Sequence, residues 1–523
     1  MTAIENLAKI LPVTLLGIYL HAVFLSISIG TPIVLVSLIY LWNKTKNELY
    51  FRAIRTITAI LAVNFAAGAA TGTLVEFGLV QAWPGMIFVL STVGFVPFTL
   101  ELIAFVAEIV LLLLFIITLG RLRPVISLAL MAIYFIFAAF SGVVITSVNS
   151  WMNVPWGTAD LVRTFYPFTP TFGPLQVSSD SFMNLRLIFL SSYLSYGSAS
   201  QAIQDLAVSQ QIGRFLLDPY VAIFNDYNLA SVLHNVTAAV IVGMSIILAG
   251  YAYSFVKNNR TESLKIIRAF LPILAVLLIL QPVVFGDFMG KMVAAYQPTK
   301  FAAIEGLYES RRDPLLGFLA YNDPNALLIG FNDLAKNCEE LRGVKLKERV
   351  PFIASKYIDP SVYELDLGEL CWRDLLRARS EASILNTLYY VKIGSGAAAL
   401  IGGLGLLLSL YNLGPLSRLL RKILGFLGER RVVALFATLI LLGGILASSI
   451  GWFVREVGRK PWTIYGYLRQ EEIVTPVPID TAVITLFTTI FLAIGFISAY
   501  IMYVIATRPQ KFSELFRRLT GNE

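Results

Sequence analysis

Long apolar runs separated by short polar connections dominate this chain, and the length of each run decides what it can be. Nine stretches stand out, near residues 10–41, 54–79, 94–120, 124–150, 228–255, 264–286, 386–412, 432–454 and 480–507. Each is long enough to cross a hydrocarbon core of roughly 30 Å as a helix. The pattern predicts an all-α integral membrane protein of nine transmembrane helices. The first run is far longer than the apolar core of a cleavable signal and no basic segment precedes it, so it is read as a retained span. Three connections are long rather than short: 151–227, 287–385 and, to a lesser degree, 455–479. Long segments on a compact bundle usually cover a site or a partner.

Charge adds orientation. Lys44, Lys46, Arg52 and Arg55 lie between spans 1 and 2, Arg121 and Arg123 between 3 and 4, and Lys257, Arg260, Lys265 and Arg268 around the 5–6 turn. Arg418, Arg421, Lys422, Arg430 and Arg431 fill the 7–8 turn, and Arg508, Lys511, Arg517 and Arg518 follow span 9. All these connections fall on one side, which the positive-inside rule makes cytoplasmic. The N-terminus is therefore expected outside, the C-terminus inside, and the long loops extracytoplasmic. The chain then divides into residues 1–286 (spans 1–6 with an outer loop at 151–227), an extracytoplasmic loop at 287–385, and 386–523 (spans 7–9 and a cytoplasmic tail). With 57% hydrophobic and 14% charged residues, composition points to the bilayer of the cell membrane. The net charge of +8 calls for no nucleic acid, because the anionic inner leaflet is partner enough. No internal repeat, phosphate-binding glycine loop or metal-binding cysteine cluster is visible. Cys338 and Cys371 both fall in the second long loop, where a disulfide and two free thiols are both open.

The candidate chemistry sits in the spans. The chain has two histidines, His21 and His234, both in apolar helical runs. An imidazole at that depth needs a partner: a haem iron is one, a hydroxyl or carbonyl on a neighbouring helix the other. Glu76 closes span 2, and Glu101 and Glu108 lie in span 3 on about the same face, roughly 10 Å apart along the axis. Intramembrane carboxyls read as a proton path, with helix-packing acids as the plainer alternative. Glu456 ends span 8 among Arg455, Arg459 and Lys460, fit for an anionic ligand or a salt bridge.

The string GWFVREVGRKPW (451–462) resembles the signature of subunit I of cytochrome bd-type quinol oxidases. VNFAAGAATGTLVEF (63–77), AFVAE (104–108), NSWMNVPWG (149–157), and Gly286-Asp287 followed by KFAAIE (300–305) resemble further segments of that family. Nine helices with the N-terminus outside agree, and the resemblance runs over roughly residues 5–510. It implies a haem-bearing subunit of a quinol:oxygen oxidoreductase, a terminal oxidase that reduces O2 to water and builds a proton-motive force without a pump. His21 and Glu456 match the ligands of two high-spin haems, b with either b or d at the oxygen site. His234 matches a ligand of a low-spin haem b. Lys300 and Glu305 match quinol residues in the loop 287–385. Glu108 matches an acid on the proton route to the oxygen site, and Glu76, Trp452 and Arg459 match residues that line the haem region. A related second membrane subunit is implied as partner, with a small single-span subunit as a further candidate.

Two departures mark this chain. Where the family carries arginine and, two residues on, a methionine ligand of the low-spin haem, TLYYVKIGSG (387–396) places Lys392 and Gly394. Lys392 is then a candidate nitrogen ligand or a partner of a haem propionate. The family's acid pair is aligned eight residues apart and here is seven, which leaves Glu101 a less secure path member than Glu108. A haem-poor structural subunit and a secondary transporter are the competing classes. A transporter has no reason for the GWFVREVGRKPW and KFAAIE strings, and a structural subunit needs none of His21, His234, Glu305 and Glu456.

Overall fold

A computed structural model describes residues 3–155, 186–191, 220–350, 352 and 358–507. The outer loop expected over 151–227 and the basic tail from residue 508 lie largely or wholly outside the described residues. Among the described residues, nine helices are long and apolar enough to cross a membrane. The chain forms α1 (Ala3–Thr45), α2 (Glu48–Ala82), a short α3 (Pro84–Val93), α4 (Phe95–Thr118), α5 (Pro124–Asn153), α6 (Asp226–Asn258) and α7 (Glu262–Leu280). Local chemistry sets the ends: the Asn47 side chain accepts from Leu49 N at 2.9 Å to cap α2, with Glu48 in the first turn.

The sixth span departs from the pattern read in the sequence. The apolar run stops at Gly286, yet the helix continues through a π-helical turn (Gln281–Gly286) into α8 (Asp287–Tyr296). Pro282 removes a backbone donor and reads as a break, but a π turn absorbs the lost hydrogen bond. Asp287 and Lys291, which read as loop residues, pair at 2.5 Å on the helix surface. The loop therefore begins about ten residues later than the apolar pattern places it.

Beyond it come α9 (Pro298–Ile304), the antiparallel pair β1 (Arg311–Arg312) and β2 (Leu327–Leu328), α10 (Phe331–Glu340) and α11 (Leu367–Ser380). Cys338 of α10 and Cys371 of α11 form a disulfide. Three further spans, α12 (Ala382–Leu410), α13 (Glu429–Val457) and α15 (Thr481–Thr507), complete the bundle. The antiparallel pair β3 (Trp462–Ile464) and β4 (Leu468–Arg469) and one turn of helix, α14 (Gln470–Ile473), link α13 to α15.

Packing divides into two cores. The inner one is largely aliphatic and lies between spans, with Leu35, Leu61, Ile247, Leu271 and Phe436 all buried. There α1 and α6 cross backbone to backbone: a Cβ on Gly30 would stand 2.6 Å from the Val240 carbonyl oxygen. Such close approach is how helices associate where lipid removes the hydrophobic drive. The other core gathers the long connecting segments over the helix ends, around Trp151, Tyr227, Phe301, Trp462 and Tyr465. It is stapled by buried ion pairs. Arg186 donates to both Glu472 oxygens at 3.0 and 2.9 Å, and Arg469 donates to Glu472 at 2.8 Å and to Asp374 at 2.8 and 2.6 Å. Arg377 pairs with Glu471 alongside. The staple fixes α11 and the β3–β4 hairpin to one another, and the hairpin follows directly on Glu456.

Candidate functional site

Each chemically suggestive side chain can be followed to its neighbours. His21 on α1 turns its ring toward α2, with Nδ1 3.1 Å from the Gly68 carbonyl oxygen and 3.4 Å from Thr71 Oγ1. A carbonyl oxygen only accepts, so Nδ1 carries the proton and Nε2 keeps its lone pair. The ring fits because residue 72 is glycine: a Cβ there would meet His21 Cε1 at 2.8 Å.

Glu456, in the last turn of α13, accepts from Asn149 Nδ2 at 3.0 Å and from Arg459 Nη2 at 2.5 Å. Asn149 sits on α5, and its other amide atom accepts from Arg455 Nε. One asparagine thus holds both the carboxylate and its neighbouring guanidinium. The Arg455 guanidinium also lies over the rings of Trp452, at 5.5 Å, and Tyr227, at 6.0 Å. The Tyr19 hydroxyl donates to the Ser449 carbonyl at 2.9 Å, tying the helix of His21 to the helix of Glu456.

His234 on α6 is wrapped by the π turn. Gln281 Nε2 donates to the His234 carbonyl at 3.0 Å and lies 3.2 Å from its Nδ1, and a Cβ on Gly286 would stand 3.9 Å from its Cε1. Widened turns of this kind recur at functional positions because they redirect side chains. Lys392, on α12, lays its stem across Gly451 of α13 and holds Nζ 5.6 Å from the Tyr389 ring. Gly394 has nothing within 4 Å of where a Cβ would be and lies on the exposed side of the helix, about 200° round from Lys392.

Lys300 and Glu305, read as one pair in the sequence, go to different neighbours. Lys300 is buried and donates to the Arg455 carbonyl at 3.3 Å. Burial, with Arg455 and Arg459 close by, holds its ammonium well below the usual lysine range. Glu305 follows the end of α9 and accepts from the Tyr390 hydroxyl at 3.0 Å. Burial pushes its carboxyl above the usual range, against the Tyr390 hydrogen bond and the nearby Arg311. Glu305 is 7% exposed and Tyr390 53%, so the phenol is the outward member of the pair.

The three membrane carboxyls form a series. Glu76 lies within electrostatic reach of Glu101, which bonds Ser141, and Glu101 within reach of Glu108. Glu108 is buried between helices beside Tyr134, whereas Glu76 is exposed on the surface of α2. Sequence reading missed Asn149, Gln281 and Tyr390. For Gln281 a faint signal existed, a lone amide closing an apolar run just before Pro282.

Comparison with known proteins supplies the remaining context. Residues 13–510 match the family of cytochrome bd terminal oxidase subunit I. A Bacillus subtilis (strain 168) protein provisionally named cytochrome bd menaquinol oxidase subunit I is 22% identical over 494 residues, 93% of this chain and 92% of that one. The cytochrome bd-II ubiquinol oxidase subunit 1 of Escherichia coli (strain K12) is 22% identical over 489 residues, 86% of this chain and 85% of its own. The fold resembles that of the bd oxidase from Geobacillus thermodenitrificans, with a TM-score of 0.69 at 19% identity over 97% of this chain and 100% of that chain. A family match from residue 13 to residue 510 leaves almost none of the bundle unaccounted for, and the chain belongs to the cytochrome bd terminal oxidase subunit I family.

Proposed function

We propose that this chain is the haem-bearing subunit of a quinol:oxygen oxidoreductase of the cell membrane, in which quinol is oxidised near the outer face and O2 is reduced to water. The observation that carries it is the His21 ring held inside the bundle by Nδ1 against the Gly68 carbonyl, on a helix that is itself bonded to the one that bears Glu456. The residues present suit haem. His21 and His234 offer imidazoles, Glu456 a carboxylate, and the guanidinium atoms Nη1 and Nη2 of Arg455 and Nε and Nη1 of Arg459 are buried with no protein acceptor, which complements the carboxylates of a porphyrin. His234 would hold a low-spin haem b, and His21 and Glu456 two high-spin haems, b with either b or d. Gly394 offers no ligand atom, and Lys392 on the same helix would serve that haem either as a nitrogen donor or as a partner of a propionate. Haem iron supplies one-electron transfer and the binding of O2.

The chain's own side chains do the rest. Within the loop 287–385, Glu305 accepts a proton from quinol at the outer face while Tyr390 orients the carboxylate. Glu76, Glu101 and Glu108 carry protons from the cytoplasmic side, and Trp452 packs beside Arg455 at the haem region. Protons released outside and consumed from inside charge the membrane without a pump. An exposed carboxyl on a membrane helix, such as Glu76, calls for cover; a related second membrane subunit, with a small single-span subunit as a further candidate, would provide it.

A pyridine haemochrome and a reduced-minus-oxidised spectrum of the purified protein test the reading. His21→Ala and Glu456→Ala should each abolish oxygen reduction and disturb high-spin signals, while His234→Ala removes the low-spin signal. Wild-type haem content and activity in all three variants would refute the ligand assignment.

A further inference from the structure

The connection between α12 and α13 reads in sequence as a short basic turn, yet it folds into a helix of its own at the end of the bundle opposite Glu456. That helix is Pro415–Leu424, followed by a 3-10 turn at Gly425–Leu427. Its start is tied down. Ser417 Oγ donates to the Tyr411 carbonyl at 3.0 Å and accepts from Leu413 N at 2.9 Å, and the Tyr411 hydroxyl donates to the Arg268 carbonyl of α7 at 2.6 Å. Leu420, Leu424 and Leu427 pack against the inner core, so one face meets the bundle and the helix cannot roll. Leu416, Leu419 and Ile423 share an arc of about 60° beside that face. They are 64%, 55% and 55% exposed, and Phe426 just beyond them is 80% exposed. Arg418, Arg421 and Lys422 occupy an arc of about 100° on the far side, and all three are exposed.

An apolar stripe this open calls for a cover, and the charges beside it say which. Residues 411–431 hold five cations, Arg418, Arg421, Lys422, Arg430 and Arg431, against one acid, Glu429. No ion pair among the described residues engages any of the six. Long cationic side chains opposite an apolar stripe are what seats a helix in a bilayer surface: the stripe enters the acyl region while the cations reach back to phosphates. We propose that Pro415–Leu427 lies in the membrane surface and binds anionic phospholipid. Leu416, Leu419, Ile423 and Phe426 stand among the acyl chains, and Arg418 and Lys422 take the headgroup phosphates. Arg421 serves the protein instead, donating to Asn412 Oδ1 at 3.0 Å and to the Ser417 carbonyl at 3.2 Å. The inference goes beyond the oxidase reading and does not depend on which residues hold haem.

The test uses the purified oxidase complex, oxidised and without an electron donor, in vesicles of phosphatidylcholine and phosphatidylglycerol in equal parts. The two cysteines of the chain, Cys338 and Cys371, are joined in the disulfide, so a cysteine introduced here is its one free thiol and takes a nitroxide label. Labels on Leu419→Cys and Ile423→Cys should collide more with lipid-dissolved O2 than with a water-soluble nickel chelate, and a label on Lys422→Cys should do the reverse. Greater contact with the chelate at Leu419→Cys and Ile423→Cys would put the stripe in water, and shielding from both reagents would put it under another protein; either overturns the inference. The wild type should hold spin-labelled phosphatidylglycerol in preference to phosphatidylcholine, and Arg418→Gln combined with Lys422→Gln should lower that preference about twofold or more. No preference in the wild type, or the same preference in both proteins, overturns it. Should the double variant fail to assemble, the wild type alone decides: concentrated salt screens headgroup contacts and should lower the preference, and a preference indifferent to salt overturns the site. Each of these results leaves haem spectra and oxygen uptake, and with them the oxidase reading, untouched.

Discussion

Gly72→Ala adds one methyl group to the face of α2 that receives His21, and its effect can be worked out from the packing. The new carbon would stand 2.8 Å from His21 Cε1, 3.3 Å from Nδ1 and 3.5 Å from Nε2. Ordinary carbon–carbon contact is about 3.5–4.0 Å, so the ring must retreat by about 0.7 Å or more. It cannot swing freely, because Nδ1 is held by the Gly68 carbonyl one helical turn away. Metal–ligand distances tolerate only about 0.2 Å, and a misplacement of this size commonly lowers turnover by about 10²-fold. Alanine in place of glycine favours a helix by roughly 0.5–1 kcal/mol, which offsets part of the strain of the new contact.

Gly78→Ala is the control, since it lies on the same helix and nothing stands within 4 Å of its Cβ position. Reduced-minus-oxidised spectra and oxygen uptake of the two variants form the assay. Under the proposed ligation, Gly72→Ala should weaken the high-spin signal assigned to His21 and spare the signal assigned to His234, while Gly78→Ala changes neither. A Gly72→Ala protein with wild-type spectra and uptake would show that His21 is not held against α2 as an iron ligand.

Two further expectations concern the outer segments. Burial raises the Glu305 carboxyl, so its proton-accepting anion fills only above the usual carboxylate range, and quinol oxidation should rise with pH through that window. Glu305→Gln should remove this limb, and Tyr390→Phe should move it to higher pH because the donor that stabilises the anion is gone; a limb that shifts downward or stays put in Tyr390→Phe refutes the pairing. Arg469→Met leaves Asp374 and Glu472 buried with one fewer cation, a loss of roughly 3–5 kcal/mol that should appear as a lowered midpoint in thermal unfolding. An unchanged midpoint would mean that the staple does not hold the outer core.

The spans, the two histidines and Glu456 were legible because an ionisable group inside an apolar run is conspicuous whatever surrounds it. What surrounds it was not legible. Asn149 binds Arg455 and Glu456 across a sequence separation of 306 and 307 residues, and nothing in the run SVNSWMN distinguishes it from Asn153 four residues on. The sixth span was cut short at Gly286 because Pro282 and the polar residues after it imitate a terminus, whereas the π turn keeps the helix going and aims Gln281 at His234. In sequence Glu76, Glu101 and Glu108 look like one class of acid, yet Glu76 faces outward and Glu108 inward. Helical periodicity separates faces of one helix; it does not say which face meets the bundle.

Lys300 and Glu305 show most plainly how a motif can mislead about geometry. Five residues apart on a continuous helix, their side chains would already diverge by about 140°. The helix does not continue: α9 ends at Ile304, and Gly306 takes a φ of +63° to turn the chain toward β1. Asn386 then donates to the Ile304 carbonyl at 2.8 Å, which seats the helix end against α12 and delivers Glu305 to Tyr390. Lys300, still inside α9, is carried the other way, under the end of α13 and onto the Arg455 carbonyl. A short string that marks a family can therefore send its residues to two separate sets of neighbours, Glu305 to Tyr390 and Lys300 to the end of α13. The break between them is written in a glycine whose role depends on the turn it permits rather than on any chemistry of its own.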